Sequence, residues 1–159
     1  MELTPTGMRS PSLEDLQRYV KWSNDPEICS LDPPVGTVSN VIVWSLYVRD
    51  VHIGMVTISN ITRTSAEFGI RIGAKEYWGR GFGTIFTSAA LDYCFNTLGL
   101  TCVQLKVLPT NTRAVRCYEK CGFRHEGRLR KARFSDGRYH DELMMGILRQ
   151  EFEELNGNG

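Results

Sequence analysis

Apolar positions repeat with helical spacing near the start of the chain. They are Leu13, Leu16, Tyr19 and Val20. Ser12 is a favourable N-cap, so residues 12–22 are predicted to form an amphipathic helix. Proline is favoured in the first turn of a helix, and Pro26 therefore predicts a short second helix. Residues 31–36 contain two prolines and a glycine, which predicts an exposed loop that could line an acceptor groove.

The spacing of apolar positions changes to a β pattern in the next part of the chain. Residues 41–48 and 51–59 are rich in β-branched and aromatic side chains, and they predict the two strands of a hairpin. Residues 67–72 predict a third strand after a loop. One face of it carries Phe68, Ile70 and Ile72, and the other carries Glu67 and Arg71. Gly69 inside this strand predicts a bulge, or a close approach by another backbone or a ligand.

A second helical pattern begins at a glycine-rich turn, residues 78–84, with the sequence WGRGFGT. Its apolar stripe consists of Phe82, Ile85, Phe86, Ala89, Ala90, Tyr93 and Cys94. The stripe predicts a long, mostly buried helix that ends at Gly99. A strand follows, in which Val103, Leu105 and Val107 alternate with more polar residues. The order strand, helix, strand predicts a right-handed crossover.

The last part of the chain predicts a short helix and a closing hairpin. The helix is expected at residues 110–121, with Gly122 as its stop. The Asp-Gly pair at 136–137 favours a tight turn between two strands within residues 123–149. The tail, residues 151–159, is polar and is predicted to fray.

Composition and charge fit one globular α/β domain with a mixed sheet, covering residues 1–159. Hydrophobic residues make up 42% of the chain and charged residues 23%. The formal net charge of +1 gives no support to nucleic-acid binding. No apolar run is long enough to span a membrane, and the first residues have no secretory pattern, so a cytoplasmic location without membrane contact is expected.

The cysteines and histidines do not predict a metal site or a disulfide framework. The cysteines, expected to be free thiols, are Cys29, Cys94, Cys102, Cys117 and Cys121. Cys117 and Cys121 share a helix face without an evident base, so they are interpreted as small apolar residues rather than nucleophiles. His52, His125 and His140 lack the spacing of metal ligands, and His140 is a candidate for substrate contact.

The glycine-rich turn has two open interpretations. Its glycines, Gly79, Gly81 and Gly83, can adopt positive φ and carry no Cβ. Several backbone N–H groups could therefore converge on an anion at the start of a helix, an arrangement that suits a pyrophosphate. Alternatively, the turn only reverses the chain before a core helix.

A second motif, LPTNTRAVRCYEKCGF at residues 108–123, carries a family resemblance. It resembles the Asn-x-x-Ala-x-x-x-Tyr-x-x-x-Gly-Phe segment of the GNAT superfamily of acetyl-CoA-dependent N-acetyltransferases. The turn with Gly81 and Gly83 resembles that family's pyrophosphate motif. Residues 22–27 and 136–139 are similar to the branch that includes ribosomal-protein and spermidine acetyltransferases. The resemblance implies a single α/β (α+β) domain whose mixed, mostly antiparallel sheet splays between two central strands and is flanked by helices.

The resemblance also implies how acetyl-CoA is held, without a metal. The pyrophosphate is expected at the backbone N–H groups of Arg80, Gly81, Phe82, Gly83 and Thr84. The pantetheine arm is expected in the splayed gap, next to Ile70, Arg71 and Ile72. On the short helix, cofactor contacts are expected from Asn111, Ala114 and Tyr118. Asn111 would bond the amide arm, and the thioester would lie beside Tyr118.

Transfer of the acetyl group to a primary amine in a ternary complex needs a base and an acid. Glu67, on the strand beside the gap, is the candidate base, acting directly or through water; alternatively it is a solvated or ion-paired residue. Tyr118 is the candidate acid for the departing thiolate, because a tyrosine with a pKa of about 10 stays protonated at neutral pH. Alternatively, its ring packs the short helix together with Ala114 and Cys121.

The sequence leaves the acceptor and the quaternary structure open. A protein or peptide N-terminus ranks first, and a polyamine or another small amine, including an antibiotic, ranks second. Glu27, Asp32 and Asp141 are too few carboxylates to decide. A non-catalytic acyl-CoA-binding domain is the alternative of another class, and a homodimer is left open. A basic run, interpreted as a solvated strand face or as a site for the CoA 3′-phosphate or an acidic peptide, comprises Arg124, Arg128, Arg130, Lys131 and Arg133.

Overall fold

The computed structural model describes residues 7–31 and 40–157. The strands are β1 (Met8–Arg9), β2 (Ile42–Val48), β3 (Val51–Ser59), β4 (Ser65–Ile72), β5 (Cys102–Val107), β6 (Arg124–Ser135) and β7 (Arg138–Leu148). The α-helices are α1 (Leu13–Ser23), α2 (Pro26–Leu31), α3 (Phe82–Asp92), α4 (Thr112–Lys120) and α5 (Arg149–Leu155). From residue 32 on, the predicted acceptor loop lies outside the described residues.

The described strands form one mixed sheet in the order β1-β2-β3-β4-β5-β7-β6. Every neighbouring pair in it is antiparallel except β4 and β5. These two central strands run parallel, and they pair over three positions, where Ser65 to Glu67 face Cys102 to Gln104. Beyond Glu67 the strands diverge, which confirms the predicted splay between two central strands.

The two predicted hairpins are confirmed, whereas the prediction of a bulge at Gly69 is wrong. Arg49, with φ of 56°, lies in the turn between β2 and β3, and Asp136 with Gly137 turns β6 into β7. The register between β3 and β4 is unbroken through the pair Thr57 and Gly69. A Cβ at Gly69 would lie 2.9 Å from Thr57 Oγ1. The close neighbour is therefore a side chain of the adjacent strand.

The helix after the glycine-rich turn packs its buried face on the sheet. It continues beyond α3 as a π-helical segment, Tyr93–Thr97, and the chain then reaches Gly99, whose φ of 72° suits a helix stop. Fully buried side chains on it include Phe86, Leu91 and Phe95. The prediction was wrong for Ile85, which is 50% exposed and does not belong to the buried stripe. The buried stripe holds the glycine-rich turn at the end of β4.

The predicted fraying of the tail is wrong for residues 151–155, because they belong to α5. Phe152 is buried, and its ring lies 5.2 Å from the ring of Phe95. The guanidinium of Arg149 donates hydrogen bonds to the carbonyl oxygens of Leu100 and Phe95. One aromatic side chain and one partly buried guanidinium thus dock a largely polar helix.

Helix α1 is fixed to the sheet by a buried carboxylate that the sequence pattern did not reveal. Asp15 is 2% exposed and forms a capping box with Ser12. It accepts a hydrogen bond of 2.5 Å from the hydroxyl of Tyr47, and its Oδ1 lies 3.4 Å from Nδ1 of His52. Burial raises the pKa of Asp15, but hydrogen bonds from Tyr47 and the Ser12 N–H outweigh it and lower the pKa to about 2.

Candidate active site

A cleft of about 460 Å³ opens beside the end of β4, beyond the positions at which β4 pairs with β5. Its walls come from the end of β4, the glycine-rich turn, α4 and one residue of α2. The predicted cofactor residues that line it are Ile70, Arg71, Ile72, Gly81, Phe82, Gly83, Thr84, Asn111, Ala114 and Tyr118. Two motifs that are far apart in the sequence therefore line one cleft.

The glycine-rich turn has the backbone geometry of an anion site. Gly79 and Gly81 have φ of 71° and 86°, and Gly81 is the N-cap of α3. The first N–H groups of a helix point away from its body and can bind an anion. Gly83 differs, because it is helical; a Cβ there would lie 3.3 Å from Cys117 Sγ. The indole of Trp78 donates a 2.6 Å hydrogen bond to the carbonyl of Ile72, which ties the turn to β4.

Arg80, a predicted cofactor contact, does not line the cleft. Its guanidinium lies over the ring of Tyr77, 4.9 Å from the centroid, and 5.5 Å from that of Phe82. It also donates a hydrogen bond to the carbonyl of Glu76. The side chain of Arg80 thus braces the outside of the turn.

Helix α4 begins at Asn111, which lines the cleft as its N-cap. Its side-chain oxygen accepts a hydrogen bond of 3.4 Å from the N–H of Ala114. This capping bond favours helix formation at the start of α4 and fixes the side chain at the edge of the cleft. Asn111 and Ala114, both expected as cofactor contacts, therefore lie together on the cleft lining.

Tyr118 lines the cleft and is 6% exposed. Its ring packs edge-on against Phe68 of β4 and Phe123 after α4, with centroids 6.2 Å and 5.7 Å away. The aromatic packing confirms that the ring contributes to the core. The same packing holds the phenol in a fixed position on the cleft lining. Tyr118 can therefore be a core residue and remain a candidate proton donor.

Glu67, the candidate base, does not line the cleft. It lies in the paired part of β4, opposite Gln104, before the strands diverge. Its side chain is 37% exposed, and its carboxylate lies 3.8 Å from the ammonium of Lys106. The structure thus places Glu67 beside the gap, but separates it from the wall that Tyr118 forms.

Several cleft residues were not expected from the sequence. They are Ile28, Tyr77, Thr112, Arg113, Arg116, Cys117 and Lys120. The spacing of Arg113, Arg116 and Lys120 along one helix face was a signal that could have identified them. The guanidinium of Arg113 lies over the ring of Trp78, 4.3 Å from its centroid, and joins α4 to the glycine-rich turn. Ile28 had no sequence signal, because tertiary packing of α2 alone brings it there.

Cys94, Cys102, Cys117 and Cys121 are free thiols, as predicted. Cys117 and Cys121 are not only small apolar residues, however. The sulfur of Cys117 accepts a hydrogen bond from the hydroxyl of Thr84, and the thiol of Cys121 donates one to the carbonyl of Thr84. Both thiols therefore contact the first turn of α3.

The three histidines lie outside the cleft lining. His52 is buried beside Asp15, and His125 lies 2.8 Å from the carboxylate of Glu119. His140, the candidate substrate contact, instead lies within hydrogen-bond distance of the carbonyl of Ser135 in the β6–β7 hairpin. Within residues 7–31 and 40–157, no group of His, Cys, Asp or Glu side chains is placed to hold a metal ion.

Carboxylates of β7 and α5 pair with much of the basic run on β6. The ion pairs are Arg124 with Glu151, Arg128 with Asp141, and Arg133 with Glu142. None of the five basic residues of the run lines the cleft. The structure therefore favours an ion-paired strand face over a phosphate site. No helix among the described residues is long and apolar enough to cross a membrane.

Two carboxylates near the cleft hold one ammonium group. The Nζ of Lys75 lies 2.9 Å from Asp25 and 2.9 Å from Glu27. Its hydrogen bond to Asp25 is the main cause of the lowered pKa of that carboxyl. Glu27 belongs to α2, the helix that contributes Ile28 to the cleft wall. Asp32 lies outside the described residues, and Asp141 is engaged on the hairpin.

Comparison with known proteins agrees with this architecture. The family model described as Acetyltransferase (GNAT) domain matches residues 6–124. A spermidine N(1)-acetyltransferase of Vibrio cholerae is 42% identical over 102 residues, which cover 63% of this chain and 58% of the relative. One of Escherichia coli (strain K12) is 36% identical over 98 residues, covering 62% of this chain and 52% of the relative. The aligned part is thus little more than half of these relatives.

A crystal structure of the Vibrio cholerae spermidine N-acetyltransferase, in complex with CoA and spermine, superimposes with a TM-score of 0.80 at 30% sequence identity. The superposition covers 91% of this chain and 96% of the other. The predicted fold class is therefore confirmed along nearly the whole chain. The chain belongs to the GNAT acetyltransferase family.

Proposed function

We propose that the protein is an acetyl-CoA-dependent N-acetyltransferase whose acceptor is a polyamine of the spermidine class. The observation that carries the proposal is the cleft at the end of β4, beyond its pairing with β5, which both the glycine-rich turn and Tyr118 line. The similarity to spermidine acetyltransferases supports the acceptor class. It reverses the order that the sequence suggested, in which a protein N-terminus ranked before a polyamine.

The residues of the cleft fit acetyl-CoA as a substrate. The first-turn N–H groups of Phe82, Gly83 and Thr84 are suited to its pyrophosphate, because Gly81 turns the chain into the helix there. Residues 70–72 lie on the diverging part of β4, where an extended pantetheine arm can run between the strands. Asn111 lines the same cleft at the start of α4.

Tyr118 is suited to donate a proton to the departing thiolate. Its phenol lies on the cleft wall, and two aromatic rings hold its side chain in place. A phenol that keeps its proton at neutral pH is a ready donor for a thiolate leaving group.

Glu67 would act through a bridging water, because its carboxylate does not line the cleft and pairs with Lys106 at 3.8 Å. A base that acts through one water need not touch the amine itself. Of the two routes that the sequence left open, direct or through water, the position of Glu67 favours the second.

The carboxylate pair around Lys75 supports a cationic acceptor. Asp25 and Glu27 already bind one primary ammonium, that of Lys75, at 2.9 Å each. A polyamine presents the same chemical group at each end. Such charge-assisted hydrogen bonds are stronger than neutral ones, so the two carboxylates, next to Ile28 of the cleft wall, are suited to attract a polyamine.

The test is a thiol-release assay with acetyl-CoA and a panel of acceptors: spermidine, spermine, an aminoglycoside and a peptide with a free N-terminus. We expect kcat/KM for spermidine to exceed that for the peptide by at least about tenfold, equivalent to about 1.4 kcal/mol in transition-state binding. A higher kcat/KM for the peptide than for spermidine would instead favour a protein N-terminus as the acceptor. Acetyl-CoA binding without turnover of any amine would instead indicate an acyl-CoA-binding domain.

A pair of variants tests the acceptor corner. Glu27→Gln should raise KM for spermidine with little change in the affinity for acetyl-CoA, because it removes one negative charge near the cleft. Glu14→Gln removes an exposed carboxylate from the first turn of α1 and is the matched control. Equal KM values for both variants would contradict a role of α2 in acceptor binding.

A further inference from the structure

Two thiols of α4 and its C-cap lie against the first turn of α3, beside the glycine-rich turn. Cys117 lines the cleft, and its Sγ accepts a hydrogen bond of 3.6 Å from the hydroxyl of Thr84. Cys121 is buried, and its Sγ donates a hydrogen bond of 3.6 Å to the carbonyl oxygen of Thr84. The two sulfurs therefore connect the end of α4 to the segment that is suited to bind phosphate.

Several neighbours favour the thiolate form of Cys117. The hydrogen bond from Cys121 has the largest effect and lowers the pKa of Cys117, whereas burial opposes it. The hydroxyl of Thr84, which donates a hydrogen bond to this sulfur, and the charge of Lys120 lower the pKa further. The Thr87 side chain is fully buried, and its hydroxyl has no hydrogen-bond partner among the described residues, so a nearby thiolate is the acceptor that would satisfy it.

The other thiols whose side chains the structure describes lie in different surroundings. Burial raises the pKa of Cys94 to about 12. Burial and the negative charge of Glu126 raise the pKa of Cys102, which is partly exposed. The thiolate is the reactive form of cysteine, so Cys117 is the thiol in this part of the chain that is set up to react.

The position of the Cys117 sulfur links its chemistry to the cleft. A Cβ at Gly83 would lie only 3.3 Å from this sulfur, so the sulfur lies beside Gly83 in the space that a side chain at that position would need. A substituent on Cys117 has to extend into the cleft next to Gly83 and Thr84. It would there occupy the space from which the first-turn N–H groups reach an anion.

We propose that Cys117 is a modification site at which a low-molecular-weight disulfide switches off acetyl-CoA binding. The Cys117 thiolate attacks one sulfur of the disulfide; a new S–S bond forms as the old one breaks, and the other half leaves as a thiolate that takes a proton from water. The Cys117 sulfur is oxidised, the leaving sulfur is reduced, and an added thiol reverses the exchange. Cys121 is a positioning residue: its single S–H donates to the Thr84 carbonyl while Cys117 is protonated and turns to the Cys117 sulfur once that thiolate has formed. The effect on binding rests on the proposed function.

The first experiment maps the reaction of the full chain with oxidised glutathione by mass spectrometry of its peptides. At pH 7 we expect the adduct on Cys117 to form at least about tenfold faster than that on Cys102. Cys121→Ala should slow the reaction and move its pH profile to higher pH, which a purely structural role would not do. Cys102→Ser is the matched control and should leave the rate at Cys117 unchanged. An equal rate at Cys117 and Cys102 would overturn the proposal.

The second experiment measures the thermal shift that acetyl-CoA produces before and after glutathione is attached. We expect the shift to be lost in the modified protein, to return after dithiothreitol, and to be the same before and after treatment in Cys117→Ser. A full shift in protein modified at Cys117 would overturn the proposed switch. No shift in the unmodified protein would contradict the proposed function, and the switch with it, even where Cys117 is labelled.

Discussion

The guanidinium of Arg18 donates a hydrogen bond of 2.8 Å to Nδ1 of His52. A guanidinium cannot accept a hydrogen bond, so Nδ1 carries no proton and His52 is neutral. Its other ring nitrogen, Nε2, then holds the proton and donates it to the carbonyl of Gly54 at 2.9 Å. The neutral tautomer of one buried histidine thus connects α1 to the interior of β3.

Acidification should weaken the fold through His52. Burial lowers its pKa below the ordinary value of 6.5, and the charge of Arg18 lowers it further, whereas Asp15 raises it. As the pH falls below about 6.5, the unfolded chain takes up a proton that folded His52 does not, so the free energy of unfolding decreases. In urea denaturation between about pH 7.5 and 5.5, His52→Asn should lose less stability than the parent, because asparagine does not titrate.

The surface variant His125→Asn is the control for the loss of one histidine. His125 is about half exposed and pairs with Glu119 outside the core. The free energy of unfolding of His125→Asn should depend on pH in the same way as that of the parent. If His52→Asn also followed the parent, the proton balance at His52 would not explain the acid sensitivity.

Removal of the charge of Asp15 should destabilise the protein by about 2–4 kcal/mol at pH 7, because Tyr47 and the Ser12 N–H lose a charged acceptor in a buried place. The pKa of Asp15 lies near 2, so its stabilisation is present above the ordinary value of 3.8 and is lost as the pH falls toward 2. The difference in the free energy of unfolding between the parent and Asp15→Asn, measured by chemical denaturation, should therefore become smaller in acid. Glu14→Gln, at an exposed neighbouring position, should stay within about 0.5 kcal/mol of the parent.

Gly81 and Gly99 allow the role of the glycine-rich turn to be separated from backbone strain. Both have positive φ, and an added Cβ would meet no atom within 4 Å at either site. Alanine should cost about 1 kcal/mol of stability at each. Only Gly81→Ala should weaken acetyl-CoA binding, by more than about tenfold in calorimetry, since the strained turn re-aims the N–H groups at the start of α3. Equal affinities of both variants for acetyl-CoA would indicate that the glycine-rich turn only reverses the chain and does not bind phosphate.

Tyr118→Phe should lower kcat by about 10²-fold while the affinity for acetyl-CoA stays close to that of the parent. The ring keeps its contacts with Phe68 and Phe123, so the variant should fold like the parent. Steady-state kinetics with spermidine, alongside a direct binding measurement, separates the two effects. A fall in affinity that accounts for the whole loss of kcat/KM would make Tyr118 a binding residue instead of an acid.

Glu67→Gln should be most impaired at low pH and should recover as the pH approaches the pKa of the acceptor amine. Free amine is then supplied by the solution, and a base is needed less. The readout is kcat/KM against pH for both variants and the parent, and Tyr118→Phe should not be rescued in this way. Lys106→Met is a useful companion, because it removes the partner of Glu67 at 3.8 Å without touching the carboxylate. Parallel profiles for all of them would rule out the two assigned roles.

The parts of the site that could be predicted were those that local sequence determines. Positive φ at Gly81 and a helix cap at Asn111 follow from the conformations that these residue types favour. The splay between β4 and β5 came from the family resemblance, and the three-position pairing of these strands agrees with it.

The features that were missed depend on contacts between distant segments. Asp15, inside a helix with an exposed polar face, gave no sign that Tyr47 and His52 would enclose it. In the tail, a single Phe152 among polar residues is too weak a periodic signal to predict α5, although its contact with Phe95 suffices to dock the helix. Glu67 was placed correctly on β4, but its distance from the cleft wall depends on where the two strands separate.

The short pairing of β4 with β5 also has a mechanical consequence. Three residue positions join the sheet into one, whereas the other long strands pair over most of their length. The sheet therefore has two halves, which we call leaves, β1 to β4 and β5 to β7. They are joined by the short β4–β5 pairing and by a shared core. A ligand lying in the gap would contact both leaves and hold them together. Its departure would loosen the β4–β5 pairing before either leaf unfolds, and native-state hydrogen exchange would detect this as faster exchange confined to the strand ends beside the gap.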